Sequence, residues 1–182
     1  MEIRTERLVL RRAVPNDAES MFCYLGDPTL TTYLAHPPLT LGQTRKRLAR
    51  ATAPVDGPRF DLLLAMTHPD GTVIGEVHAW NVTEDGLPTS QEPGEVWLAY
   101  AVHPAHQGNG YATEAVRGLL PYLRSREIAR VFANMFEVNA ASRNLLDRLG
   151  FEEHLRFPAE LDSTGKGLAS IRMVLELGLA KC

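Results

Sequence analysis

The stretch HPAHQGNGYATEA, His103 to Ala115, decides how this chain is read. It follows an apolar run with strand character, EVWLAYAV (Glu95–Val102), and leads into a segment with helical spacing. Gly108 and Gly110 stand one residue apart at that junction. Glycine there costs backbone entropy, so the loop needs something only glycine permits. The usual need is close approach of backbone N–H groups to an anion, with a helix N-terminus behind them.

Two nucleotide fingerprints fail on these residues. A Walker loop needs a lysine after its second glycine, and Tyr111 follows Gly110. A dinucleotide fingerprint needs a third small residue where Thr113 stands, and a first strand opening a βαβ unit. What remains, Gln107-Gly108-Asn109-Gly110-Tyr111-Ala112, is a strand–loop–helix junction whose amides can converge on a phosphate.

Working outward, Tyr111–Arg126 reads as a helix with apolar positions at Ala112, Ala115, Val116, Leu119, Leu120 and Leu123; Pro121 inside it predicts a kink. ARVFANMFEV (Ala129–Val138) reads as a strand. Asn139 caps a short helix closed by Gly150, and a final strand pair flanks Asp162–Gly167. Upstream, Phe60–Met66, the turn His68–Gly71 and Thr72–Trp80 read as a hairpin, with a polar loop Glu84–Gly94 after it. RLVLRR (Arg7–Arg12) alternates as a half-buried strand. Asn16 or Asp17 caps a first helix reaching Gly26, Asp27-Pro28 opens a short second one ending near Leu34, and Thr40 caps a third over Leu41–Ala53 that Pro54–Pro58 terminates. The order implies mixed α/β layers with a helix crossover after Val102.

With 182 residues, 45% of them hydrophobic and 23% charged, residues 1–182 read as one globular domain with a sizeable core. A net charge of −3 argues against a general nucleic-acid partner. Cys23 and Cys182 lie too far apart in sequence to suggest a disulfide framework, and they point to a reducing compartment. No stretch has the length or apolarity of a leader or a membrane span, so no membrane partner is expected and the expected location is cytoplasmic.

Gln107, Gly110 and Ala112 resemble, in register, the acetyl-CoA signature of the GNAT superfamily of acyl-CoA N-acetyltransferases: Gln or Arg, two residues, Gly, one residue, then Gly or Ala. The rest of the chain looks like its RimJ/RimL-like branch, the ribosomal-protein N-terminal acetyltransferases. TERLVLRRAVPNDAESMF, Asp27-Pro28 and Tyr33-Leu34 resemble that branch's opening, and Ile74-Gly75 its third strand. Tyr111–Ala115 resembles its helix start, and Asn139, Ser142 and Leu149-Gly150-Phe151 the segment after the fifth strand. The resemblance implies a central, mostly antiparallel twisted sheet of about seven strands flanked by helices.

It also implies that the anion is the pyrophosphate of acetyl-CoA, held by the amides of Gly108, Asn109, Gly110, Tyr111, Ala112 and Thr113, with side-chain bonds from Gln107 and Thr113. The pantetheine arm would lie along Glu95–Val102, an amide at Ala101 or Val102 polarising the thioester, and Asn139 would bond the arm. Direct attack by a neutral amine is the expected course. Glu95 is a candidate base, although the branch carries its glutamate two positions later, where Trp97 stands; Glu160 is a second and an ordered water a third. Many members protonate the thiolate with a tyrosine at the position held here by Leu146, so Ser142, or a water it holds, is the candidate acid; helix capping or coenzyme contact is its alternative role.

Several residues carry plainer readings beside functional ones. Glu76 and His78 share a strand face and read as a cross-strand polar pair or a proton relay. Cys23 reads as core or surface, and Arg45-Lys46-Arg47 with Arg50 as a solvated helix face. His103 and His106 lack companions to complete a metal shell, so no metal is expected. Glu84, Asp85 and Glu92 read as a loop that is acidic for solubility or that attracts a cationic acceptor. The acceptor is a protein N-terminal α-amine or a small amine of aminoglycoside or polyamine type. A non-catalytic acyl-CoA-binding module, and a homodimer, stay open.

Overall fold

Alternating and continuous apolar runs build most of the molecule, which is a computed structural model describing residues 1–51, 60–82, 92 and 94–178. The strands are β1 (Glu2–Arg4), β2 (Val9–Arg12), β3 (Asp61–Thr67), β4 (Val73–Trp80), β5 (Glu95–Val102), β6 (Arg130–Phe136), β7 (Glu152–Phe157) and β8 (Ser170–Glu176). They form one eight-stranded sheet in the order β1-β2-β3-β4-β5-β6-β8-β7. The helices are α1 (Ala18–Leu25), α2 (Leu41–Ala51), α3 (Tyr111–Ser125) and α4 (Ala140–Arg148).

One strand more than expected is present. It is β1, which pairs Glu2, Ile3 and Arg4 with Arg11, Leu10 and Val9. Three residues are too short to show an alternation, and the tight turn set by Thr5, whose hydroxyl accepts from Leu8 N–H at 3.0 Å, makes the pairing. Asp17 caps from within a 3-10 turn, Pro15–Asp17: its carboxylate accepts the Val14 amide at 2.8 Å and pairs with Arg11 at 2.7 Å. The second helix is a 3-10 turn, Leu30–Tyr33. Thr40 and Gln43 exchange side-chain and backbone bonds at the start of α2, a capping box. Helix α3 continues through Pro121, where the missing amide leaves the Arg117 carbonyl without its i+4 donor. Residues 52–59, with the Pro54–Pro58 terminator, lie outside the described residues. So does most of the Glu84–Gly94 loop, including Glu84 and Asp85.

All neighbouring strands are antiparallel except β5 and β6, as a helical crossover requires. That parallel ladder holds three pairs, Glu95–Arg130, Val96–Val131 and Trp97–Phe132. Past it, β5 stays with β4 up to Val102 while β6 stays with β8 up to Phe136. The two central strands therefore part, and a notch opens in the sheet.

Two cores lock this geometry. On one face Leu62, Leu64, Val77, Val96, Val131 and Met173 pack under Ala115, Val116, Leu119 and Leu123 of α3 and Leu145 and Leu146 of α4. Each fully buried leucine there contributes about 2 kcal/mol, which holds α3 on the sheet. On the other face Leu63 and Ala65 pack under Met21, Tyr24 and Leu25 of α1 and Leu48 of α2.

Candidate functional site

The β5–α3 loop begins with a 3-10 turn, Pro104–His106, and passes through Gly108 and Gly110, both at φ +77°. Nothing lies within 4 Å of a Cβ built on Gly108, so conformation rather than crowding is what requires glycine there. From Gly108 to Thr113 the backbone N–H groups donate to no acceptor among the described residues. They cluster at the N-terminus of a fifteen-residue helix, which carries about half a positive charge. Such a cradle fits a phosphate-bearing ligand.

Side chains of the loop serve its shape. Gln107 Nε2 donates to the Val102 carbonyl at 2.9 Å, and Asn109 Nδ2 to the His106 and Gln107 carbonyls at 3.2 and 3.0 Å. Thr113 makes no side-chain hydrogen bond among the described residues. Arg7 adds a charge beside the cradle: its guanidinium lies 4.6 Å from the Tyr111 ring centre and pairs with Glu114 at 2.7 Å. Burial pushes the Glu114 carboxyl up, but the Thr5 hydroxyl and the Arg7 amide and guanidinium outweigh it, and it is held below the usual range.

The notch is spanned by a contact the sequence reading missed. Tyr100, on β5, hydrogen-bonds Ser142 at the start of α4, with 2.7 Å between the two hydroxyl oxygens. Burial raises the Tyr100 hydroxyl to about 12, and its bond to Ser142 works weakly the other way. Asn139 caps α4 by accepting the Ser142 amide at 3.1 Å, which fixes where Ser142 stands. Across β5, a Cβ on Gly75 would come within 2.4 Å of the Ala101 carbonyl, so glycine allows β4 to press against the end of β5. Ala101 and Val102 thus stand at the edge of the notch, beside the loop.

The opposite face gathers the other candidates. Register carries one face across the sheet: Ala65 opposes Glu76, which opposes Ala101, and Leu63 opposes His78, which opposes Ala99. Glu76, buried at 5% exposure, takes both arms of Arg47 at 2.7 and 2.9 Å and lies 3.5 Å from the Tyr24 hydroxyl. His78 Nε2 lies 2.6 Å from Asp61 Oδ1, and its ring stacks on Trp80. Desolvation raises the Asp61 carboxyl, yet His78 prevails and it sits below its ordinary range. Both residues are therefore engaged with structural partners.

Glu95 is buried at the closed end of the β5–β6 ladder and pairs with Arg130. Glu160 stands exposed in a 3-10 turn, Ala159–Leu161, with no ion pair among the described residues. Next to it the β7–β8 loop is tied down by Asp162, which accepts from Thr164, Lys166 and Leu168; the Thr164 hydroxyl foremost holds its carboxyl at about 2. Lys166 Nζ reaches across to the carbonyls of Thr31, Thr32 and Leu34 at 2.5–3.0 Å. Cys23 is exposed on α1 and donates to the Glu19 carbonyl. His68, His103 and His106 meet edge to edge at 5.4–5.8 Å. No group of three His, Cys, Asp or Glu among the described residues is arranged to hold a metal ion. No helix among them is long and apolar enough to cross a membrane.

The split sheet and the glycine cradle at its mouth agree with the resemblance read from the sequence, and comparison with known proteins shows the class. The chain matches the Acetyltransferase (GNAT) domain family over residues 7–152 and belongs to it: it is a GNAT acetyltransferase. The uncharacterized N-acetyltransferase p20 of Bacillus licheniformis is 30% identical over 154 residues, 82% of this chain and 81% of that protein. A GNAT-family acetyltransferase of Bacillus anthracis superposes with a TM-score of 0.79 at 16% identity, covering 97% of this chain and 99% of the other. Mycobacterium smegmatis RimJ, in complex with CoA-disulfide, gives 0.78 at 19% identity over 97% and 87%. At those identities the structural likeness is one of fold.

Proposed function

We propose that the protein takes acetyl-CoA as its donor and moves the acetyl group directly to a primary amine, with no covalent enzyme intermediate. The observation that carries this reading is the run of amides from Gly108 to Thr113, without partners among the described residues, at the mouth of the β5–β6 notch. A pyrophosphate there meets backbone donors and the positive end of α3 together. The CoA-disulfide bound to M. smegmatis RimJ, which shares the fold, supports the donor class.

When bound, acetyl-CoA supplies an acyl group activated as a thioester. The chain's own residues then orient and polarise. Alternate amides of β5 face β4 and the notch, and the one at Ala101 or Val102 that faces the notch withdraws charge from the carbonyl oxygen. Tyr100 stays protonated across the neutral range, and either hydroxyl of the Tyr100–Ser142 pair can donate to the other; when Tyr100 donates, the Ser142 hydroxyl hydrogen is left for the departing sulfur. The amine must be neutral to attack. Glu160, exposed and without an ion pair among the described residues, is the carboxylate open to take its proton, with a water as the alternative; the charge of Glu95 is already taken up by Arg130.

Two acceptor classes follow. A protein N-terminal α-amine is the first, supported by the resemblance to the RimJ/RimL-like branch. A small amine is the second, favoured by a cavity of about 310 Å³ over the β5–β6 ladder, on the sheet face opposite α3 that serves as the acceptor face in this reading. The test is thiol release from acetyl-CoA against peptides with free Ala, Ser or Met N-termini, polyamines, aminoglycosides and amino acids. Turnover that N-terminal formylation blocks supports the first class, and turnover of small amines alone supports the second. Binding of acetyl-CoA with silence across the panel contradicts transfer.

A further inference from the structure

The cavity on the acceptor face has an unusual composition. Glu92, Glu95, Trp97, Arg130, Phe132, His154 and Arg172 line it. Arg130 is neutralised by Glu95. Arg172 is not neutralised: among the described residues no carboxylate lies within ion-pairing distance of it. Its only polar partner there is the neutral Asn134 Oδ1, 3.5 Å from Nε. What holds the guanidinium is two aromatic rings, with Cζ 4.8 Å from the centre of Trp97 and 5.1 Å from that of Phe157.

The position of this cation matters as much as its lack of a counter-charge. Trp97 and Phe132 form the last pair of the β5–β6 ladder, and Asn134 is the next β6 residue on that face, the first beyond the split. Arg172 is directly opposite Asn134, one strand spacing of about 5 Å away. The guanidinium therefore stands at the point where the notch opens onto the acceptor face. The two cation–π contacts anchor the guanidinium, whose fork is the group that grips a carboxylate with two parallel bonds. The ring walls lower the local dielectric and strengthen such a bond.

We propose that the acceptor amine carries its own carboxylate, and that Arg172 binds it and so determines acceptor specificity. The inference rests on the reading of this protein as an amine acetyltransferase. The carboxylate has two sources, the α-carboxylate of a free amino acid or the acidic side chain near the N-terminus of a peptide. A polyamine or aminoglycoside has none and is disfavoured.

The test compares matched acceptors with the full-length protein. Free α-amino acids are set against their amides, and peptides with aspartate at the second position against the asparagine versions, in wild type, Arg172→Gln and Arg172→Lys. Acetyl transfer is followed by thiol release, and binding of the same acceptors to the CoA-loaded protein by calorimetry. Wild type is expected to favour the carboxylate member of one pair by about tenfold or more in kcat/KM, the scale of one charge-assisted bidentate contact. Arg172→Gln should bring that ratio close to one through KM, with acetyl-CoA affinity unchanged, and Arg172→Lys should keep part of it. A loss of packing alone lowers both members of a pair equally and leaves the ratio intact. Preference in the amino-acid pair assigns a small acceptor, and preference in the peptide pair an acidic N-terminus. Transfer without any carboxylate preference, or a preference that survives Arg172→Gln, overturns the proposal and leaves the transferase reading standing. Carboxylate-dependent binding without transfer does the reverse, and neither binding nor transfer removes both.

Discussion

At φ +77°, Gly108 and Gly110 occupy backbone space that costs an L-residue with a side chain about 1–2 kcal/mol. The loop is exposed and braced by Gln107 and Asn109, so strain there tilts the cradle amides long before it unfolds the molecule. Gly108→Ala is expected to raise the acetyl-CoA dissociation constant about tenfold in calorimetry and to shift the melting temperature by only a few degrees. A large loss of stability with unchanged affinity would make these glycines folding residues instead. Tyr100→Phe is expected to lower kcat several-fold while the KM for acetyl-CoA stays put, since the ring packing survives and only the bond that aims Ser142 is lost. The same variant has a signature in alkali. Unfolded, Tyr100 ionises near 10; folded, it holds its proton to about 12. The native state thus binds more protons in that window, and stability falls by about 2–3 kcal/mol as pH rises through it. Tyr24, raised in the same direction by burial, adds to the slope, so Tyr100→Phe should flatten it without abolishing it in urea titrations. The glycines stood out in the sequence because they break a pattern, and Ser142 through the family resemblance of the Asn139-x-x-Ser142 spacing. Tyr100 did not, because alternation reads a strand tyrosine as core and its partner lies 42 residues away.

Among the elements, α2 shows how charge was misread. Arg45, Arg47 and Arg50 look alike on the sequence, yet Arg45 is exposed while Arg47 reaches under the helix to the buried Glu76 on β4. Removing one member leaves an uncompensated charge in the core, so Arg47→Met is expected to cost about 3–5 kcal/mol in chemical denaturation. Joining it to Glu76→Leu should recover most of that loss. Failure to recover would mean that the pair specifies the α1–α2 face as well as stabilising it. Helices and long strands were readable from periodicity and caps, as at Thr40 and Asn139. Strand β1 and the 3-10 character of the short turns were not, because they are set by local backbone amides donating to the side chains of Thr5, Asp17 and Asp27 rather than by a repeating pattern.

For the molecule as a whole, the element order already required one parallel pair in an otherwise antiparallel sheet, and β5–β6 is that pair. Where the pair stops was not legible, since beyond Trp97–Phe132 each strand keeps its pairing with its other neighbour, β5 with β4 and β6 with β8. The notch created there opens beside the Tyr100–Ser142 bond on the α3–α4 face of the sheet and beside Arg172 on the other. Direct transfer across the notch needs both substrates bound at once. The decisive measurement is therefore the initial rate of thiol release with acetyl-CoA and the accepted amine varied together. Intersecting lines in the double-reciprocal plot, with no release before amine is added, are the predicted result. Parallel lines, or a burst of thiol in the absence of amine, would show an acyl-enzyme and contradict direct transfer across the notch.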